Sequence, residues 1–111
     1  MNVSKISIDG ADKEKLLNAI KSEFADHYLY STENISIFTT EKYFLRINST
    51  LLSVIIVNFS ENYTTKIEVI SGGASLGLLK MTSDAEEDAN NKIMNFFNKL
   101  CESNSWTFRT D

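Results

Sequence analysis

Proline is absent from these 111 residues, and cysteine, histidine and tryptophan occur once each. With Cys101 as the one thiol, no internal disulfide can form, and a lone thiol agrees with a reducing cytoplasm. His27 and Cys101 together fall short of the three or four ligands a zinc site needs, so no metal is expected. Long apolar runs are missing too: Leu51–Val57, interrupted by Ser53, is far shorter than the roughly 20 residues of a membrane-spanning helix. Met1-Asn2-Val3-Ser4-Lys5-Ile6 alternates polar and apolar residues without a basic leader, so no signal peptide is expected and a cytoplasmic location is.

Positive charge is scarce. The 11 Lys and Arg against 15 Asp and Glu give a net charge of −4, and the basic residues are scattered singly, which argues against binding phosphate backbones. Neither nucleic acid nor membrane is an expected partner. The bias toward Ile, Asn, Lys and Phe over Arg, Pro and Gly fits an AT-rich bacterial or phage genome. Asn-x-Ser/Thr triplets begin at Asn2, Asn34, Asn48, Asn58 and Asn62, and without a leader they are ascribed to composition.

What is present is a patterned core. At 42% hydrophobic and 23% charged content, one domain over 1–111 can enclose a core without crosslinks. Ile6 and Ile8 alternate with Lys5 and Ser7 as in a half-buried strand, which Asp9-Gly10-Ala11-Asp12 stops. Asp12 is a helix N-cap, and Leu16, Leu17, Ile20 and Phe24 share one face of a helix spanning about 12–27. From Tyr28 the period becomes two, with short runs near 28–31, 35–39, 43–48, 51–59 and 63–70 separated by turn residues. These runs predict an antiparallel meander with the apolar Leu51–Val57 stretch at its centre.

Beyond the glycines, Leu76–Met81 reads as a further strand, and Ser83-Asp84-Ala85-Glu86 as a capping box opening a second helix to about 102. Ala85, Ala89, Ile93, Phe96, Phe97 and Leu100 form its apolar stripe. Residues 103–111 are a loose tail or a short closing strand. The expected fold is α+β: a two-layer sandwich in which two helices cover one face of an antiparallel sheet of five to seven strands, in the order β-α-β(5–6)-α.

Candidate sites are few. Three of the four glycines lie in Ser71-Gly72-Gly73-Ala74-Ser75-Leu76-Gly77, where Gly72 and Gly73 amides with Ser71 and Ser75 hydroxyls can meet an anion. The spacing matches neither a dinucleotide fingerprint nor a P-loop, and a bulge or tight turn explains the same glycines. Cys101 as a nucleophile would need His27 beside it and an oxyanion pocket. Asp84, Glu86, Glu87 and Asp88 fit helix capping, and no carboxylate pair is placed for acid–base work. No catalytic residues and no cofactor are expected. In a two-layer sandwich the face away from the helices must be solvated or covered. If Phe38, Phe44, Leu51, Ile55 and Phe59 alternate onto it, they mark an interaction surface. The alternative is that some of them tuck under the terminal segment.

Val69-Ile70-Ser71-Gly72-Gly73-Ala74-Ser75, followed by Leu78-Leu79-Lys80-Met81 and the acidic Glu86-Glu87, resembles a family of small uncharacterised bacterial proteins. In that family a strand ends in Ser-Gly-Gly, a short apolar strand follows and a helix closes the domain. The resemblance implies the fold and no activity. The expectation is therefore a non-enzymatic binding or adaptor module that contacts a protein partner, or itself, through the exposed sheet face. The alternative is a small anionic-ligand binder with a pocket between sheet and helices near Gly72 and Gly73.

Overall fold

A computed structural model describes residues 2–24, 29–44, 49–73 and 79–111, with side chains described for all of these except 29, 42–44, 49, 50, 73 and 79–85. The alternating segment at the start forms β1 (Asn2–Asp9). Gly10 ends it with φ at +81°, a left-handed conformation that a Cβ disfavours, and donates its N–H to the Tyr63 carbonyl at 3.0 Å. Asp12 then caps α1 (Lys13–Glu23), its carboxylate accepting from the Lys15 amide at 2.9 Å. This satisfies one of the orphan donors of the first turn.

Four strands follow: β2 (Leu29–Ser31), β3 (Ile35–Phe44), β4 (Ser49–Asn58) and β5 (Thr64–Gly73). A long helix α2 (Leu79–Asn104) and a short β6 (Thr107–Thr110) complete the chain. The sheet order is β2-β3-β4-β5-β1-β6 and every pairing is antiparallel. The fold is thus the expected α+β sandwich, with β4 interior and β6 as the closing strand.

Three details depart from the expectation: α1 stops at Glu23, with Phe24 as its C-cap, short of the expected 27, and two segments change type. Thr39–Lys42 is not a turn, because β3 runs through it, pairing Thr39 with Val54 and Lys42 with Leu51. The segment has no Gly, Pro or Asn to break a strand, and its threonines favour the pleat. Leu79-Lys80-Met81 is helical and not part of a strand, so Ser83–Glu86 lies inside α2 and not at its start. A short apolar run fits either period, and Leu, Lys and Met are strong helix formers.

Strand register sorts the side chains. Ile6, Ile8, Phe38, Ile55, Val57, Ile67 and Val69 point to one face and form a single core with Leu16 and Ile20 of α1 and Ile93, Phe97 and Cys101 of α2. Both helices therefore cover the same face, and Phe24 meets Phe96 edge-on with centroids 5.1 Å apart. Each fully buried aliphatic or aromatic side chain here contributes about 1.5–3 kcal/mol. α2 ends in a Schellman turn: Ser105 has φ +59° and the Trp106 N–H donates to the Cys101 carbonyl at 3.0 Å. That turn drives the chain back into β6 beside β1.

Candidate functional site

The uncovered face of the sheet carries an apolar band. By register, Tyr30, Ile37 and Ile56 lie side by side on β2, β3 and β4, and Val54, Ile70 and Val3 form the adjacent row across β4, β5 and β1. Val3 is 51% exposed, Tyr30 48% and Leu52 43%. Single exposed apolar residues are ordinary, whereas a contiguous band spanning five strands is not. Among the described residues no element lies over it.

This finding corrects the residues assigned to that surface. Phe38 and Ile55 pair with each other and are buried on the helix side, as is Leu51. Phe59 follows β4, packs against the core and has the Lys13 ammonium 5.1 Å from its ring centroid. Phe44 closes β3 opposite Ser49, and its side chain lies outside the described residues. The outward set is one residue out of step: Ile37, Leu52, Val54 and Ile56 in place of Phe38, Leu51 and Ile55. Because β4 is apolar on both faces, a shift of one position leaves its pattern unchanged.

One end of the open face is polar. Arg109 of β6 donates to both carboxylate oxygens of Asp9, from Nε at 2.9 Å and from Nη2 at 2.8 Å, and Thr64 donates to Asp9 at 2.6 Å. These donors hold the Asp9 carboxyl below its ordinary value. The Ser7 hydroxyl lies within hydrogen-bond distance of both carboxylate oxygens of Asp111, and the Asp111 N–H donates to the Lys5 carbonyl. Together these contacts fasten the last strand to the first.

The glycine segment differs from a loop. Gly72 and Gly73 are the last residues of β5, paired with Leu52 and Leu51. In a strand, successive amides point to opposite sides, so these two do not converge on one anion. Ser71 faces inward, fully buried, with its hydroxyl 2.6 Å from that of Ser53. Ser75 and His27 lie outside the described residues.

Beneath α2 the covered face has a polar end. Asn90 is buried, and its amide nitrogen reaches the Asn2 carbonyl, Asn2 Oδ1, Ser4 Oγ and the Val69 carbonyl at 2.9–3.2 Å. Its Oδ1 has no hydrogen-bond partner among the described residues. Glu86, one turn earlier, is also buried. Asn90 was not singled out from sequence and Glu86 was read as part of a helix cap, although 86, 90, 93 and 97 keep the spacing of an inward stripe. Near Ser53, Phe24, Ala89, Ile93, Phe96 and Thr40 line a cavity of about 240 Å³, with Glu23, Glu41 and Lys92 also on its wall.

Cys101 packs in the core, and burial pushes its thiol up to about 11. A thiol that resists ionisation is a poor nucleophile at neutral pH. Among the described residues no three His, Cys, Asp or Glu side chains gather as a metal site, and no helix is long and apolar enough to cross a membrane. Compared with protein-family models, characterised proteins and solved structures, the chain matches none.

Proposed function

We propose that this chain is a non-enzymatic binding module of a bacterial or phage cytoplasm, acting through protein–protein contacts on the open face of its sheet. The observation that carries this reading is the apolar band of Tyr30, Ile37, Leu52, Val54, Ile56, Ile70 and Val3, lying opposite the helices. An interior strand with both faces apolar has its second face to bury, and here no part of the described chain does so. Kinship with the small bacterial family that residues 69–81 resemble belongs to the same proposal and adds no activity.

The test is an Ile56→Lys substitution, which places a charge at the centre of the band while leaving the core intact. Immobilised wild-type protein should retain a binding partner that the variant does not, with far-UV circular dichroism unchanged. Recovery of the same proteins by both baits would remove the reading.

The cavity beside Ser53 supports a second reading, a small-ligand site between sheet and helices. Its apolar walls with Ser53 and Thr40 hydroxyls suit an amphipathic molecule, whose anionic group would pair with Lys92. Glu23 on the same wall opposes an anion, which ranks this reading second. A thermal-shift panel of phosphate sugars, nucleotides and fatty acids should raise the melting temperature of wild type and not of Ser53→Phe; a flat response throughout would discard it.

A further inference from the structure

We propose that the partner of the open face is a second copy of the same chain, docked sheet to sheet about a two-fold axis. The inference rests on the reading above that this face is the binding surface. It adds the identity of the occupant.

Register sets two charges at opposite corners of the band. Glu41 on β3 pairs with Leu52, and Lys66 on β5 pairs with Asn58. Leu52 and Asn58 lie equally far along β4 from the point between Val54 and Ile56. Glu41 and Lys66 therefore stand at opposite corners of the band, one strand to either side of β4, roughly 20 Å apart by strand geometry. Both are exposed, and neither has an ion-pair partner among the described residues.

A two-fold axis in the contact plane, through that midpoint and perpendicular to the diagonal, exchanges the two corners. Glu41 of each copy then faces Lys66 of the partner subunit, while the centre of the apolar band meets itself. An isologous interface requires this self-complementarity, since whatever contact residue i makes with residue j is made again in reverse. An unrelated partner has no need of it.

Charge balance points the same way. The chain carries −4, yet among the described residues the open face holds Lys5, Lys66 and Arg109 against Asp9, Glu41, Glu68 and Asp111, close to neutrality. The acidic excess lies elsewhere, so two copies can approach through this face without strong mutual repulsion. A face so balanced has no selective attraction for a strongly basic or strongly acidic partner.

Sedimentation equilibrium across a wide concentration range tests the inference. Wild type should reach a dimer, Ile56→Lys should stay monomeric, and Glu41→Lys or Lys66→Glu alone should each weaken the dimer by about tenfold or more. The double variant Glu41→Lys/Lys66→Glu should recover most of that loss, because it re-forms both pairs with the signs exchanged. A wild type that remains monomeric at every concentration overturns the second-copy inference. So does a dimer indifferent to Ile56→Lys, or a double variant no better than the singles. Monomeric wild type that still binds another protein in an Ile56-dependent way would refute this inference alone and leave the open-face reading standing.

Discussion

Ser53 and Ser71 face each other across β4 and β5 beneath the helices, their hydroxyl oxygens 2.6 Å apart and both side chains buried. Two small polar groups buried beneath the helices are tolerated because each satisfies the other. Ser53→Ala or Ser71→Ala alone leaves one buried hydroxyl with a lost partner and should cost about 1–2 kcal/mol. The double alanine variant should cost clearly less than the sum, and urea denaturation of the four proteins gives the coupling directly. Additive losses would show that the hydroxyls do not depend on each other.

Asn90 presents a harsher case. Its amide nitrogen is ringed by four oxygens from β1 and β5. Asn90→Asp would replace the donor with a carboxylate facing those oxygens and should cost about 3 kcal/mol or more. Asn90→Ala, which removes the donor without adding charge, should fall nearer 1–3 kcal/mol. If the two variants unfold at the same urea concentration, repulsion at this position is not the dominant effect.

Stability should fall in acid as the strap between β1 and β6 is discharged. Because Asp9 titrates below its ordinary value of 3.8, its ionised form favours the folded state. That contribution is present in full above the unfolded value and is lost as pH drops through the folded one. Asp9→Asn should therefore be less stable than wild type near neutrality, and the gap should close in acid. The fluorescence of the one tryptophan, Trp106, just before β6, reports the transition. Parallel pH profiles for the two proteins would contradict the assignment.

At the end of α2, Ser105 holds a left-handed conformation without being glycine. Ser105→Gly should stabilise the fold by a few tenths to about 1 kcal/mol, since the Schellman turn is retained and the Cβ penalty disappears. Gly10, with φ +81° and the Tyr63 hydroxyl 3.4 Å from where a Cβ would sit, should respond in the opposite sense. Gly10→Ala should lose about 1 kcal/mol or more. Thermal melts of the two variants should bracket wild type.

Cys101 should be silent in the native state. Buried among core residues, with a thiol pushed up to about 11, it should react with a disulfide reagent only as fast as the protein opens. Labelling should accelerate in denaturant along with unfolding. Rapid modification of the folded protein would mean that the helix–sheet interface opens locally.

Much of the architecture could be read from local chemistry. The alternation of Lys5, Ile6, Ser7 and Ile8, the cap at Asp12 and the stripe of Ala89, Ile93, Phe96 and Phe97 each concern neighbours within a few residues, where sequence period and backbone period coincide. The interior place of β4 followed from its lack of a polar face. Less legible was the N-terminal boundary of α2, because Ser83–Glu86 suits the start of a helix and also its interior.

The amino-acid sequence by itself determined a sandwich of one sheet and two amphipathic helices, because periodicity and capping act over short distances and need no knowledge of what lies across the core. Only the tertiary structure decided which side of β3 and β4 the helices took. Phe38 and Ile55 went under them and left Ile37, Val54 and Ile56 outside, a choice invisible in strands that are apolar on both faces. The burial of Asn90 and the fastening of Arg109 to Asp9 were settled in the same way. Each depends on partners roughly 20 to 100 positions away in the chain, and no local pattern encodes such a meeting.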